Sequence, residues 1–169
     1  MSVLNLKKEY TTWMPVILSL VKNTDGPILE LGAGPFSTPL LHWLCAESGR
    51  ELWTFEEDPE YFEFAQKFRS RNHHIRFVED WEKVDFPEAS IALVDQMTKR
   101  AETAIMLKDK VDYVVLHDSE SPEVYGYEEV FKQFKFRYDW DFCRPWTTVL
   151  NNSGPSGWRA LKDLRGKII

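Results

Sequence analysis

The chain has 169 residues, with 27 acids against 21 bases and a formal net charge of −6. That length is one domain's worth of chain, and 43% hydrophobic residues with seven tryptophans exclude a disordered whole. Its longest apolar stretches, such as Met14–Leu18 and Tyr113–Leu116, are far short of a bilayer span, so no membrane partner is expected.

The acidic balance, with no run of five basic residues, disfavours a nucleic-acid backbone as main partner. Cys45 and Cys143 form neither a CxxC pair nor a disulfide framework, and the N-terminus lacks a basic-then-apolar leader. The setting expected from these features is cytoplasmic, with both cysteines as buried thiols.

The predicted elements alternate. Residues 4–22 carry Leu4, Tyr10, Trp13, Met14, Ile17, Leu18 and Val21 at helical spacing, with Pro15 as a break or kink. After the turn cluster Asn23–Pro27, Ile28–Leu31 is a strand that ends at Gly32. A helix follows, capped by Ser37 or Thr38 with Pro39 as its first residue, and stops at Gly49. Then come a strand at Leu52–Glu56, a helix over Pro59–Arg71 and strands at Ile75–Val78 and Ile91–Val94. A helix over Thr98–Lys108, a strand at Val111–Leu116 and a helix over Tyr127–Phe134 complete the alternation. Strands interleaved with helices predict a doubly wound parallel α/β sheet. Phe136, Tyr138, Trp140 and Phe142 alternate with polar residues, and Thr147–Leu150 follows as a partner, so the sheet should close with an antiparallel hairpin.

Chemistry concentrates first in Ile28–Thr38, ILELGAGPFST. Gly32 and Gly34 between a strand and a helix permit a tight turn and close approach to a ligand. Glu56 ends the next strand 24 residues after Gly32, the spacing at which an acid accepts hydrogen bonds from ribose hydroxyls. Ser37 stands where a dinucleotide loop has its third glycine. Glu30 before the loop would repel a pyrophosphate but suits a cationic ammonium.

ELGAG and FEEDPEYF resemble the first two motifs of the class I S-adenosylmethionine-dependent methyltransferases. The resemblance runs from about Pro27 to Asn152 and includes the terminal hairpin. It implies a single domain over residues 1–169, with an N-terminal helical segment at 1–22, a core at 27–152 and a tail at 153–169. It implies a Rossmann-like α/β fold of seven strands in the order 3-2-1-4-5-7-6 with helices on both faces, and S-adenosylmethionine as cofactor. By the same resemblance Gly32, Gly34 and Ser37 shape the donor loop, Glu30 faces the donor's amino-acid end and Glu56 holds the ribose. Asp80 contacts the adenine amino group with Trp81 as its stacking neighbour, and Asp95 stands at the mouth of the reaction site.

The residues at the reaction edge carry their own argument. Ligands bind outside the carboxyl ends of parallel strands, where Asp95 and the pair His117-Asp118 end strands four and five. His117 has the intrinsic pKa of a general base for an acceptor hydroxyl, and Asp118 or Glu120 could orient it or bind substrate. Asp95, His117 and Asp118 could instead hold a divalent cation, as in metal-dependent O-methyltransferases that look similar; this is the less favoured alternative. Arg100 could pair with Asp95 or grip an anionic substrate, and Tyr125 could wall it. Adjacent His73 and His74 read as turn residues, and His42 as structural.

Asp95-Gln96-Met97-Thr98 lacks the N/D-PP-Y/F pattern of nucleic-acid amino-methylating enzymes. The expected acceptor is therefore a small molecule, methylated at a hydroxyl. An open crevice leaves a homo-oligomer as an alternative that would complete it. Two rival functions stand beside this one: a non-catalytic domain that binds S-adenosylmethionine or S-adenosylhomocysteine, and a nicotinamide-type Rossmann enzyme.

Overall fold

The computed structural model describes residues 8–154. Its strands are β1 (Ile28–Leu31), β2 (Leu52–Glu56), β3 (His73–Phe77), β4 (Ala89–Val94), β5 (Val111–His117), β6 (Phe136–Trp140) and β7 (Thr147–Asn151). They form one sheet in the order β3-β2-β1-β4-β5-β7-β6. The first five are parallel, and β7 runs antiparallel to both β5 and β6. The order and the closing hairpin are those expected from the sequence.

Among the described residues six α-helices surround the sheet: α1 (Met14–Lys22), α2 (Ser37–Ser48), α3 (Pro59–Gln66), α4 (Arg100–Met106), α5 (Pro122–Tyr125) and α6 (Tyr127–Gln133). Successive strand side chains point to opposite faces. Ile28, Leu52, Ile91, Leu93 and Val115 pack with Val16, Ile17 and Leu20 of α1 and Leu41 of α2. Leu29, Leu31, Phe55, Ala92 and Val114 pack on the other face with Ala104 of α4 and Val130 of α6. Each fully buried aliphatic side chain contributes ~1.5–3 kcal/mol. A polar group on either face therefore needs an internal partner. Glu30, Thr54, His73 and His117 are such groups, all buried.

Local chemistry sets the element ends. Asp58 caps α3 by accepting from the amides of Glu60 (2.8 Å) and Tyr61 (3.1 Å), and Pro59 follows it. Gly49 ends α2 in the left-handed region at φ 71°.

The structure departs from the sequence reading at several ends. Pro15 sits in the first turn of α1, where its missing N–H costs nothing, so no long helix is kinked there. A short 3-10 turn over Lys8–Thr11 precedes α1, and the expected start at residue 4 lies outside the described residues. Neither Ser37 nor Thr38 caps α2, which opens after Phe36 with no side-chain cap. β3 starts at His73, because pairing Leu52 with His73 and Trp53 with His74 overrides the local turn preference. Of the alternating β6 aromatics only Tyr138 and Trp140 are buried; Phe142 lies past the strand end and is exposed. Among the described residues, no helix is long and apolar enough to cross a membrane.

Candidate functional site

From β1 the chain runs outward through β2 and β3, then returns to the other side of β1 as β4. That reversal leaves a crevice at the carboxyl ends of β1 and β4. A cavity of about 400 Å³ occupies it, lined on one side by Gly32–Ser37, Glu56 and Asp58. The other side is formed by Asp95, Met97, Arg100, His117 and Asp118. The volume is in the ~300–1,000 Å³ range of small-molecule sites. A larger cavity, about 520 Å³, lies at the opposite strand edge around Pro27, Ala89 and Asn152. Its Lys110 is already paired with Asp85 at 2.8 Å.

Gly32 is fixed by geometry. Its φ is +93°, and a Cβ there would lie 2.5 Å from the Gln96 nitrogen and 2.7 Å from the Asp95 carbonyl carbon. Both are backbone atoms, so no side chain fits where the loop crosses the end of β4. A Cβ on Gly34 would meet only the Ser37 Oγ, at 2.8 Å.

Glu56 ends β2 and braces the loop. One carboxylate oxygen accepts from the Ala33 amide at 2.5 Å, the other from the Asp58 amide at 2.6 Å. Burial raises its pKa; the backbone hydrogen bonds oppose that without cancelling it. Each oxygen keeps a second lone pair that can accept from a ligand hydroxyl.

Glu30, expected at the donor's amino-acid end, lies beneath the loop, fully buried and outside the cavity lining. It accepts from Thr38 Oγ1 at 2.9 Å and Thr54 Oγ1 at 2.6 Å. Burial pushes its pKa up to about 7, despite hydrogen bonds from Ser37, Thr54 and Thr38 that favour the ionised form.

The second cluster gathers Asp95, Arg100, His117 and Asp118. Arg100 donates to Asp95 Oδ1 at 3.0 Å and to Asp118 Oδ2 at 2.9 Å. Its guanidinium lies 4.3 Å from the centroid of the Tyr125 ring. His117 is 2% exposed; Nδ1 lies 3.1 Å from Asp95 Oδ1 and Nε2 3.1 Å from Thr12 Oγ1. Burial alone would lower the His117 pKa. The Asp95 hydrogen bond and the charges of Asp95 and Asp118 outweigh it and hold the imidazole above its ordinary value.

A divalent cation does not fit this cluster as arranged. Ligand atoms of Asp95, His117 and Asp118 do lie within 4.8 Å of one another. The Arg100 guanidinium already bridges both carboxylates, and a dication beside that buried charge would be repelled.

Besides Glu30, four sequence candidates lie apart from the crevice lining: Asp80, Trp81, Glu120 and Tyr125, the last of which packs on Arg100. Asp80 caps the 3-10 turn Trp81–Lys83 through the Glu82 amide (3.1 Å) and pairs with Lys83 at 2.8 Å. Trp81 is 3% exposed and packs in the core with Phe55 and Phe86. Glu120 accepts from the Trp146 amide at 2.8 Å, tying the segment after β5 to the start of β7.

The structure adds Thr12, Tyr10, Tyr61 and Pro145 to the neighbourhood. Tyr61 lies inside FEEDPEYF on the first turn of α3, whereas Thr12, Tyr10 and Pro145 come from segments remote in sequence that no local pattern marks. Thr54 did carry a signal: the register pairs it with Glu30, so a hydroxyl faces a carboxylate across adjacent strands. Glu57, in the acidic run that ends β2, also has a structural partner. It accepts from Thr98 N at 2.9 Å and Thr98 Oγ1 at 2.5 Å, joining the loops after β2 and β4.

No protein family's sequence profile matches the chain, and no curated protein matches it in sequence. Solved structures match it in fold. Human methyltransferase-like protein 13 in complex with SAH aligns with a TM-score of 0.61 at 12% identity, covering 98% of this chain and 95% of that one. N-methyltransferase NodS from Bradyrhizobium japonicum WM9 gives 0.57 at 14% identity, over 86% and 96%. A methyltransferase from Pyrococcus furiosus gives 0.54 at 17% identity, over 80% of both. The chain therefore has the class I methyltransferase fold.

Proposed function

We propose that this chain is an S-adenosylmethionine-dependent methyltransferase that acts on a hydroxyl of a small molecule. Its fold supports the first half. The observation that carries the second is the line Thr12 Oγ1, His117 Nε2, His117 Nδ1, Asp95 Oδ1, with both contacts at 3.1 Å.

The loop residues fit a donor of this kind. Gly32 lets the backbone approach a ligand, and Glu56 has free lone pairs for ribose hydroxyls. Buried negative charge on Glu30 and Glu56 favours a cationic ligand over a pyrophosphate. When bound, the donor supplies a sulfonium methyl open to in-line displacement.

The chain's own residues then have defined tasks. Asp95 accepts the Nδ1–H of His117, which leaves Nε2 as the bare nitrogen. The Thr12 hydroxyl at Nε2 occupies the place an acceptor hydroxyl would take. Nε2 would take the acceptor hydroxyl's proton as its oxygen takes the methyl and the carbon–sulfur bond breaks, leaving S-adenosylhomocysteine. Arg100, held by both Asp95 and Asp118, keeps Asp95 in position and stays charged. The exposed Met97 lines the mouth where an acceptor enters, and Tyr125 packs against Arg100 behind it.

The test is release of S-adenosylhomocysteine over a panel of hydroxylated small molecules, followed against pH. Turnover should rise as His117 loses its proton, with a midpoint above the ordinary histidine value. Asp95→Asn should lower that midpoint, and His117→Ala should cut turnover by about 10²–10⁴ with donor affinity retained. Equal loss of turnover and donor affinity in His117→Ala would contradict the assignment. The covering of Nε2 by Thr12 favours one rival, a donor-binding domain without turnover, which predicts donor binding and no release with any acceptor.

A further inference from the structure

A second line of hydrogen bonds leads away from the crevice. Thr54 Oγ1 donates to Glu30 Oε2 at 2.6 Å and lies 2.8 Å from His73 Nε2. His73 Nδ1 faces His42 Nδ1 at 3.1 Å. On the other side of Glu30, the Gly34 amide donates to Thr38 Oγ1 at 3.0 Å, and Thr38 donates to Glu30 Oε1. A half-buried histidine between the rings of Trp43 and Phe68 is thus joined to the glycine loop through Glu30.

Hydrogen counting gives the line a direction. A threonine hydroxyl has one hydrogen. With that hydrogen on Glu30, Thr54 must accept from His73 Nε2–H. His73 is kept uncharged by burial, its pKa lowered to about 4, so its Nδ1 is then bare and accepts from His42 Nδ1–H. Every donor points toward the Glu30 carboxylate.

We propose that His42, His73 and Thr54 form a proton relay between solvent and Glu30, which couples the charge beneath the glycine loop to pH. A solvent proton arrives at His42 Nε2, and the Nδ1 proton of His42 passes to His73 Nδ1. The Nε2 proton of His73 passes to Thr54 Oγ1, and the Thr54 hydroxyl proton passes to Glu30 Oε2. Each relay group gains one proton and gives one, and the net change is a single proton on Glu30. All three contacts survive with reversed direction: Glu30 donates to Thr54, Thr54 to His73 Nε2, and His73 Nδ1–H to His42 Nδ1.

The surroundings make Glu30 the group that titrates. Among the described residues it makes no ion pair; hydroxyls of Ser37, Thr38 and Thr54 face it, Glu56 on β2 repels its charge, and its β4 partner is apolar Leu93. Cys45 of α2 is a buried thiol with its pKa raised to about 11. Around His73, His74 is engaged with Glu51 at 2.5 Å and Arg69 with the Ile75 carbonyl, so neither joins the line. The consequence for function rests on the methyltransferase reading: Glu30, His73 and His42 act as positioning residues. A cationic donor is favoured while Glu30 is ionised, and its affinity falls as pH drops through the Glu30 midpoint, by at most about tenfold per pH unit.

Nitrogen-15 and carboxyl carbon-13 NMR on the free protein tests the relay. Above the Glu30 titration, His73 should be the Nε2–H tautomer and His42 the Nδ1–H tautomer. Both should reverse in one titration shared with the Glu30 carboxyl, near neutral pH. In His42→Phe the reversed line would lose the imidazole acceptor of the His73 Nδ1–H and keep only the Phe68 backbone there, so the Glu30 midpoint should move to lower pH. Tautomers that stay fixed while the carboxyl titrates, or an unmoved midpoint in His42→Phe, would overturn the relay. Absence of S-adenosylmethionine binding at every pH, with the shared titration intact, would instead overturn the methyltransferase reading alone.

Discussion

Replacing Glu30 with glutamine should make the protein relatively more stable as pH rises. The carboxyl has no solvent contact, and burial moves its pKa from an ordinary 4.5 to about 7. The folded state thus binds this proton more tightly than the unfolded state. Its contribution to stability is fully present below 4.5 and is lost as pH rises through about 7. At ~1.4 kcal/mol per unit, the shift is worth about 3 kcal/mol. Glutamine keeps the shape and cannot ionise, so it removes this dependence. Its amide replaces one acceptor with a donor, a penalty that does not change with pH. Glu56, also raised, and His73, lowered, are present in both proteins, so the difference reports Glu30 together with its coupling to these two neighbours. Urea unfolding of wild type and Glu30→Gln at pH 5 and pH 8 gives the four free energies needed. The variant should gain about 2.5 kcal/mol relative to wild type between the two pH values, since part of the window lies below pH 5. An equal difference at both would refute a buried carboxyl that ionises near neutrality.

The remaining variants probe the frame of the site. Arg100→Met should lower stability by about 3–5 kcal/mol, because Asp95 and Asp118 lose their shared counter-ion, and Tm at neutral pH measures it. Gly32→Ala should destabilise by more than ~1 kcal/mol in urea, from the positive φ and the contact with backbone at Gln96. Gly34→Ala should be far milder, since only the Ser37 hydroxyl must move.

The sheet was legible because its rules are local or topological. Short apolar runs between helical patterns specify a parallel sheet, and the alternation of Tyr138 and Trp140 with charged residues specifies the hairpin. The proposed donor half of the site was legible for the same reason: Gly32 follows β1 and Glu56 ends β2, at a spacing one βαβ unit fixes. Asp95, His117 and Asp118 were found because strand ends converge on one edge.

What escaped depends on side-chain direction and on distant segments. Glu30 looked like a ligand group from its place before the loop. Strand alternation turns it instead under α2, on the face that holds Ile28 and Leu93. His73 looked like a turn residue, since nothing nearby shows that β3 extends to pair it with Leu52. Thr12 is 105 residues from His117, and only the packing of α1 brings its hydroxyl to Nε2. Trp81 had an aromatic's suitability for stacking, yet the core cluster that also holds Phe55 and Phe86 claims it.

Calorimetric titration with S-adenosylmethionine and S-adenosylhomocysteine, with NAD as control, tests the central claim most directly. Micromolar binding of the first two is expected, and Glu56→Ala should weaken it by about 1–3 kcal/mol through lost charged hydrogen bonds. No binding of either, or affinity unchanged by Glu56→Ala, would contradict a donor site at the glycine loop.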